Sequence, residues 1–382
     1  MQPNQFGAYG PWAAAHGEKS RAKSALRPAR FKTFAAWRKA AIAKTWECLG
    51  APELPKTSKV TVHAVGEYDG LHFEKLSWQL PWGPRTEAVY LRPKHVPKGA
   101  KLPAILALHD HGGMKYFGWR KVAQVEPNLH PILKDLRAQC YEGTAWANEA
   151  AKRGYAVLCH DTFLFGSRGV KLSDVLPVVR GNTTDVAADE PSEQVNAYNN
   201  WAGEHEHLVA KSLHCAGMVW PGVYLREDQV ALSILEKRPE VDASRLACAG
   251  LSGGGLRTVF LAGLDERIRT CCCAGFYSTW NDFLLYKAWT HTWMTYVSLL
   301  PQHIDFSEIL ALRAPRPSLV LNCTGDPLYT LSEVKEAGKR GAAIYKRAGA
   351  VKDFKLSHYP GGHQLDQTMQ AEMWSFFERT LA

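Results

Sequence analysis

The stretch "RLACAGLSGGGLRTVFLAG", residues 245–263, constrains the chain more than any other. A short run of small apolar residues with strand character stops at Ser252, and a helical pattern begins immediately after it. Four glycines, Gly250, Gly253, Gly254 and Gly255, surround this one serine. Glycine at that density costs backbone entropy on folding, so the local geometry must need the missing side chains. A sharp strand-to-helix turn needs them: Gly250 and Gly254 stand where side chains would collide, and Gly253 leaves its N–H free beside the serine oxygen. The pattern G-x-S-x-G between a strand and a helix is the nucleophile elbow. The helix that begins there points its positive end at any oxyanion that develops.

The rest of the chain supplies a matching frame. "LPAILALHD" (102–110), "GYAVLCHD" (154–161), "IRTCCCAG" (268–275) and "PSLVLNCTGD" (317–326) are continuous apolar runs, as strands covered on both faces are. Helical patterns over 143–154, 224–238 and 252–264 lie among them. This alternation predicts an α/β fold: right-handed crossovers and a mostly parallel sheet with helices on both faces. Residues 59–66, 71–80 and 86–92 read as an antiparallel meander ahead of it. "FAAWRKAAIAKTWECLG" (34–50) reads as an amphipathic helix with Trp37, Ala41, Ile42 and Trp46 near one face, ended by Gly50. From Asp161 to Arg245 the chain is too long for one crossover. Its irregular, polar first part, about 162–220, is expected to be an insertion forming a lid or pocket wall. The expected division is a basic N-terminal arm and helix over 1–50, then a catalytic domain over 51–382 that carries the insertion.

Composition narrows the function classes. A chain of 382 residues, 46% hydrophobic and 22% charged, has ample material for one large core. The net charge of +9 suggests nucleic acid until its distribution is read: residues 1–50 hold seven of the nine excess positive charges. That is a solvated or packing arm, and no nucleic-acid partner is expected. No run approaches the roughly 18 apolar residues of a membrane span, and the N-terminus lacks the pattern of a secretory signal. The nine cysteines are odd in number, and several, such as Cys159, Cys248 and Cys323, sit in apolar runs. Buried reduced thiols in a soluble cytoplasmic protein account for them, and "CCC" at 271–273 lacks zinc-type spacing.

A serine hydroxyl is a poor nucleophile until a base takes its proton, and the base needs a carboxylate to fix its tautomer. On an elbow of this kind the partners follow in the order carboxylate, then histidine. Asp326 ends a strand at the sheet edge beside the elbow. His363 follows the turn Gly361-Gly362 before the last helix, whereas the rival His358 falls near the end of a strand-like run. A second oxyanion donor, beside the Gly253 N–H, is expected from His111, Gly112 or Gly113, in the loop after residues 102–110. His109 and His111 lack the further ligands a metal would require, and "EHEHL" (204–208) lacks H-E-x-x-H spacing and reads as a solvated or lid segment. Neither metal nor cofactor is expected. Trp201 and Trp220 in the insertion, with Trp289 and Trp293 in "KAWTHTWMTYVSLLP", are candidates to roof the pocket and bind substrate.

Together "LALHDHGG", "GYAVLCHDTFLFGSRG", "REDQVALSILEKRPEVDASRLACAGLSGGGLRTVFLAGLDERI", "ALRAPRPSLVLNCTGDPLYT" and "GGHQLD" resemble the acetyl-xylan-esterase-like and dienelactone-hydrolase-like serine hydrolases of the α/β-hydrolase superfamily. The resemblance spans roughly residues 60–382. It implies the α/β-hydrolase fold and a cofactor-free esterase with Ser252, Asp326 and His363 as its triad. The implied partner is a small ester substrate, including acetylated carbohydrates, and a homo-oligomer is compatible with it. A peptidase or amidase on the same triad is the alternative, and a non-catalytic binding protein on this fold is a further one.

Overall fold

A single nine-stranded sheet organises the chain, and the computed structural model describes residues 3–54 and 58–382. In chain order the strands are β1 (Val60–Tyr68), β2 (Leu71–Trp78), β3 (Thr86–Pro93), β4 (Leu102–Ala107), β5 (Ala156–His160), β6 (Val241–Leu251), β7 (Ile268–Ala274), β8 (Ser318–Cys323) and β9 (Phe354–Tyr359). Their spatial order is β1-β2-β3-β5-β4-β6-β7-β8-β9. β1, β2 and β3 form the antiparallel meander, β3 meets β5 antiparallel, and every pair from β5 to β9 is parallel. The runs expected as doubly covered strands are therefore the central ones. Their alternate residues serve opposite layers, as period-2 geometry requires.

The register of "CCC" illustrates this. Cys271 and Cys273 join Leu106, Leu158 and Cys248 on one face, under the helices Trp220–Glu236, Gly253–Leu264 and Leu331–Arg347. Cys272 joins Ile105, Val157 and Ala249 on the other, under Trp146–Lys152 and Gln367–Thr380. All nine cysteines are free thiols. The helix expected over 34–50 runs Phe34–Leu49, buries Trp37 and Ala41 fully, half-buries Ile42 and Trp46, and ends at Gly50 with φ 51°. A second helix, Tyr9–Lys23, precedes it; the arm is pinned by Gln5 N–H to the Leu285 carbonyl (2.8 Å) and by Arg21 to the Pro301 carbonyl (2.9 Å). No helix among the described residues is long and apolar enough to cross a membrane.

The long connection is less irregular than its composition suggests. Besides short helical turns such as Pro177–Arg180, it contains the longer helices Ser192–Glu204 and Glu206–Cys215, and the crossover helix begins earlier than the pattern indicates, at Trp220 with Pro221 in its first turn. Proline suits that position because its missing N–H would have no intrahelical partner there.

Candidate active site

Ser252 stands between β6 and the helix Gly253–Leu264 with φ 57° and ψ −121°. Non-glycine residues rarely adopt such a backbone, at a cost of about 1–3 kcal/mol. The turn is held by the Ser252 N–H on the Ala274 carbonyl (3.0 Å) and by the Leu256 N–H on the Ser252 carbonyl (2.8 Å). The glycines answer to close approach. A Cβ on Gly250 or Gly254 would run into the Leu108 carbonyl oxygen of the neighbouring strand end, and one on Gly253 would lie 2.7 Å from His111 N. The elbow is thus wedged against the loop that follows β4.

β8 and β9 bring the next two residues together. Their pairing continues past the strands through Thr324 N–H to Tyr359 O (2.8 Å) and Gly325 N–H to Gly361 O (3.0 Å). Asp326 and His363 therefore face each other, with His363 Nδ1 2.6 Å from Asp326 Oδ2. The other Asp326 oxygen accepts the Leu328 N–H (2.9 Å), which fixes the carboxylate. His363 Nε2 is buried and finds no hydrogen-bond partner among the described residues. Ser252, Gly253, His363 and the whole His111–Gly113 loop line one cleft of about 460 Å³. His358 is exposed on β9, opposite Asn322, and does not line this cleft.

The loop after β4 is built by charge. Gly112 and Gly113 both have positive φ (57° and 66°). The Gly113 N–H donates to His111 Nδ1 (3.1 Å), so the His111 ring carries its hydrogen on Nε2, 2.7 Å from Glu206 Oε1. That engages the Gly113 N–H, while His111 N lies beside Gly253, 2.7 Å from the position of a Cβ there. Glu206 is buried, and its second oxygen accepts from Thr292 Oγ1 (2.7 Å) and the Trp293 N–H (2.9 Å). The buried Lys115 ammonium lies 2.6 Å from Glu206 and 4.3 Å from the Phe165 ring centre. Burial alone would raise the Glu206 carboxyl's pKa, but the facing His111 and Lys115 outweigh it and hold it well below the usual range. The "EHEHL" segment, expected to be solvated or lid, thus places a buried carboxylate in the cleft wall.

Beneath the elbow lies a second buried pair. Arg257 and Asp228 are both fully buried, 2.5 Å apart, and His160 Nε2 is 2.9 Å from the same carboxylate. Burial would raise the Asp228 pKa, yet Arg257 and His160 keep it lowered. His291 also lines the cleft; its Nδ1 lies 2.9 Å from the Lys287 carbonyl, and burial pushes its pKa down to about 4. Among the described residues no three His, Cys, Asp or Glu side chains gather as a metal site.

Of the four tryptophans, Trp289 alone lines the cleft, 76% exposed at its mouth. Trp201 is buried in a satellite cluster with Leu172 and Tyr198, and its indole N–H is bonded to the Val179 carbonyl (3.1 Å). Trp220 belongs to the main core. Trp293 is exposed outside the cleft lining and touches the site only through its backbone N–H on Glu206. Glu206, Lys115 and His291 are the site-forming residues the sequence reading did not find.

This is the α/β-hydrolase fold. No family model matches the chain. Across its length it is similar to "Putative hydrolase YtaP" of Bacillus subtilis (strain 168), 24% identical over 334 residues that cover 86% of this chain and 95% of that one. Among solved structures it is similar to a "putative acetyl xylan esterase" of Bacteroides fragilis NCTC 9343 (TM-score 0.62, 18% identity, covering 85% of this chain and 75% of that one). It is also similar to a glucuronoyl esterase of Solibacter usitatus (TM-score 0.59, 12% identity, covering 90% and 92%).

Proposed function

We propose that the chain is a serine esterase that cleaves carboxylic esters, small acyl or acetyl esters and acetylated carbohydrates among them, through Ser252, His363 and Asp326. The observation that carries this reading is the cleft in which a strained serine at a helix N-terminus shares a wall with a histidine already paired, at 2.6 Å, to a buried carboxylate. With Nδ1 on Asp326, His363 keeps Nε2 for the serine proton. His363 takes that proton as the Ser252 oxygen attacks the ester carbonyl. The oxyanion sits on the N–H groups of Gly253 and His111, each worth about 3–4 kcal/mol in comparable sites. Collapse expels the alcohol with the proton from His363 and leaves an acyl-serine. Water, deprotonated by the same histidine, releases the acid. Asp326 stays ionised and stabilises the imidazolium. The nine free thiols fit a cytoplasmic setting.

A panel of p-nitrophenyl esters of rising chain length, acetylated sugars, methyl esters of uronic acids and one anilide tests the reading. Ester turnover that disappears in Ser252→Ala, with the anilide untouched, supports it. Turnover retained in that variant, or confined to the anilide, defeats it. The sugar arms separate a substrate whose carbohydrate is the alcohol from one whose carbohydrate is the acid.

A further inference from the structure

Lys121 is fully buried, and the Asp110 carboxylate beside it lies beyond hydrogen-bond distance. Its ammonium lies 3.8 Å from Asp110 Oδ1, while it donates to two backbone carbonyls, Asp110 O at 2.8 Å and His111 O at 2.7 Å. The Asp110 carbonyl faces a second donor, His109 Nδ1 at 2.9 Å. In a trans peptide the N–H points opposite to the C=O of the same unit. With the Asp110 oxygen held inward by two donors, the His111 N–H faces the elbow, where His111 N comes 2.7 Å from the position a Cβ would take on Gly253. A cation on the carbonyl also draws electron density through the amide, and hydrogen bonds linked in this way reinforce one another.

We propose that Lys121 is a positioning residue for the oxyanion hole: its ammonium group fixes the plane of the Asp110–His111 peptide and strengthens the His111 N–H as a donor. This rests on the esterase reading above. Charge balance with Asp110 at 3.8 Å accounts for a cation in this region, whereas the two short bonds to the Asp110 and His111 carbonyls are what set the ammonium group against this peptide. The effect belongs to the step in which negative charge develops, so it falls on kcat and leaves ground-state binding alone.

The test uses the full chain with Lys121→Met and Lys121→Gln, and Tyr141→Phe as a packing control. Tyr141 bonds the Asp110 carboxylate (2.6 Å) and so touches the same loop without its charge. With p-nitrophenyl acetate, kcat should fall about 10- to 100-fold in the lysine variants while KM stays within about twofold. The inhibition constant of phenylboronic acid, a mimic of the tetrahedral state, should rise by the same factor. Tyr141→Phe should stay within about threefold in both readouts. A loss that appears in KM, an unchanged kcat, or an equal loss in Tyr141→Phe overturns the proposal. Should neither lysine variant fold, the structure of the wild-type phosphonate adduct decides. Its oxygen on His111 N with Lys121 still on Asp110 O supports the proposal, and an oxygen on Gly113 N overturns it. A wild type that neither agent modifies at Ser252 removes the esterase reading itself, and both fall together.

Discussion

The elbow and the loop that faces it are held by opposite means. On the elbow side, side chains are absent: Gly250, Gly253 and Gly254 let backbone meet backbone where any Cβ would intrude. On the loop side, buried charges do the holding: Glu206 with His111 and Lys115, and Lys121 on the carbonyls of Asp110 and His111. A steric scaffold is indifferent to pH and is written in consecutive residues. An electrostatic one depends on ionisation and joins residues far apart in the chain. Glu206 meets its partners at separations of 95 and 86 positions.

The largest expected effect lies where the two supports converge. Ser252→Ala, His363→Ala and Asp326→Asn should each lower kcat for p-nitrophenyl acetate by about 10⁴ or more with the melting temperature little changed. His358→Ala should leave it unaltered. Loss in His358→Ala with activity kept in His363→Ala would reassign the base.

Breaking each support separately comes next. Gly254→Ala drives a methyl group into the Leu108 carbonyl and should cost about 2–4 kcal/mol by urea denaturation, equally at pH 5 and 8. Glu206→Gln leaves the buried Lys115 without its countercharge and should cost about 3 kcal/mol. It should also lower kcat about tenfold through the loosened loop. Its loss depends on pH. Folding lowers the Glu206 pKa, so the clamp's contribution is complete above the ordinary carboxylate value of about 4.3 and disappears as pH falls through the folded value. Stability profiles of the wild type and Glu206→Gln should converge in acid. Parallel profiles would show that the clamp works by packing alone.

A milder contrast sharpens the electrostatic half. Glu308 also belongs to a buried network, but its oxygen accepts the Asp305 N–H (2.8 Å) with no cation paired to it among the described residues, and burial pushes its pKa up to about 7. The folded state then keeps a proton that the unfolded chain releases between the ordinary value and about 7, so stability falls as pH rises through that window. Glu308→Gln keeps the cap and removes the charge. Its gain in thermal melts should be larger at pH 8 than at pH 5 and vanish below the ordinary carboxylate value of about 4.3, opposite in sign to Glu206→Gln.

The same contrast explains what the sequence revealed. The central strands are legible because doubly covered strands are continuous apolar runs between turn signals, and the elbow is legible because its glycines are neighbours. Asp326 and His363 are legible because strand ends and a glycine turn place them. The helix Tyr9–Lys23 is not, since it buries only Gly10 and is held by distant contacts such as that of Arg21 to Pro301. The inward stripe of Leu331–Arg347 includes Gly338 and Gly341, which weaken the helical pattern. Trp201 and Trp220 carry the same local signal as Trp289, and only the tertiary fold separates core from cleft wall. No local pattern marks Glu206 or Lys121, because burial of a charge depends on what arrives from elsewhere in the chain.

Three adjacent thiols on β7 also give this molecule a built-in clock for how its layers come apart. Cys272 is shielded by the layer that includes the last helix, and its neighbours by the opposite one. Burial pushes the Cys272 and Cys273 thiols well above their usual pKa, so an alkylating reagent reaches them only through transient opening, while the exposed Cys215 reacts from the start. If the helix Gln367–Thr380 detaches first, Cys272 is labelled before Cys271 and Cys273. Residues one peptide bond apart would then time two separate opening events.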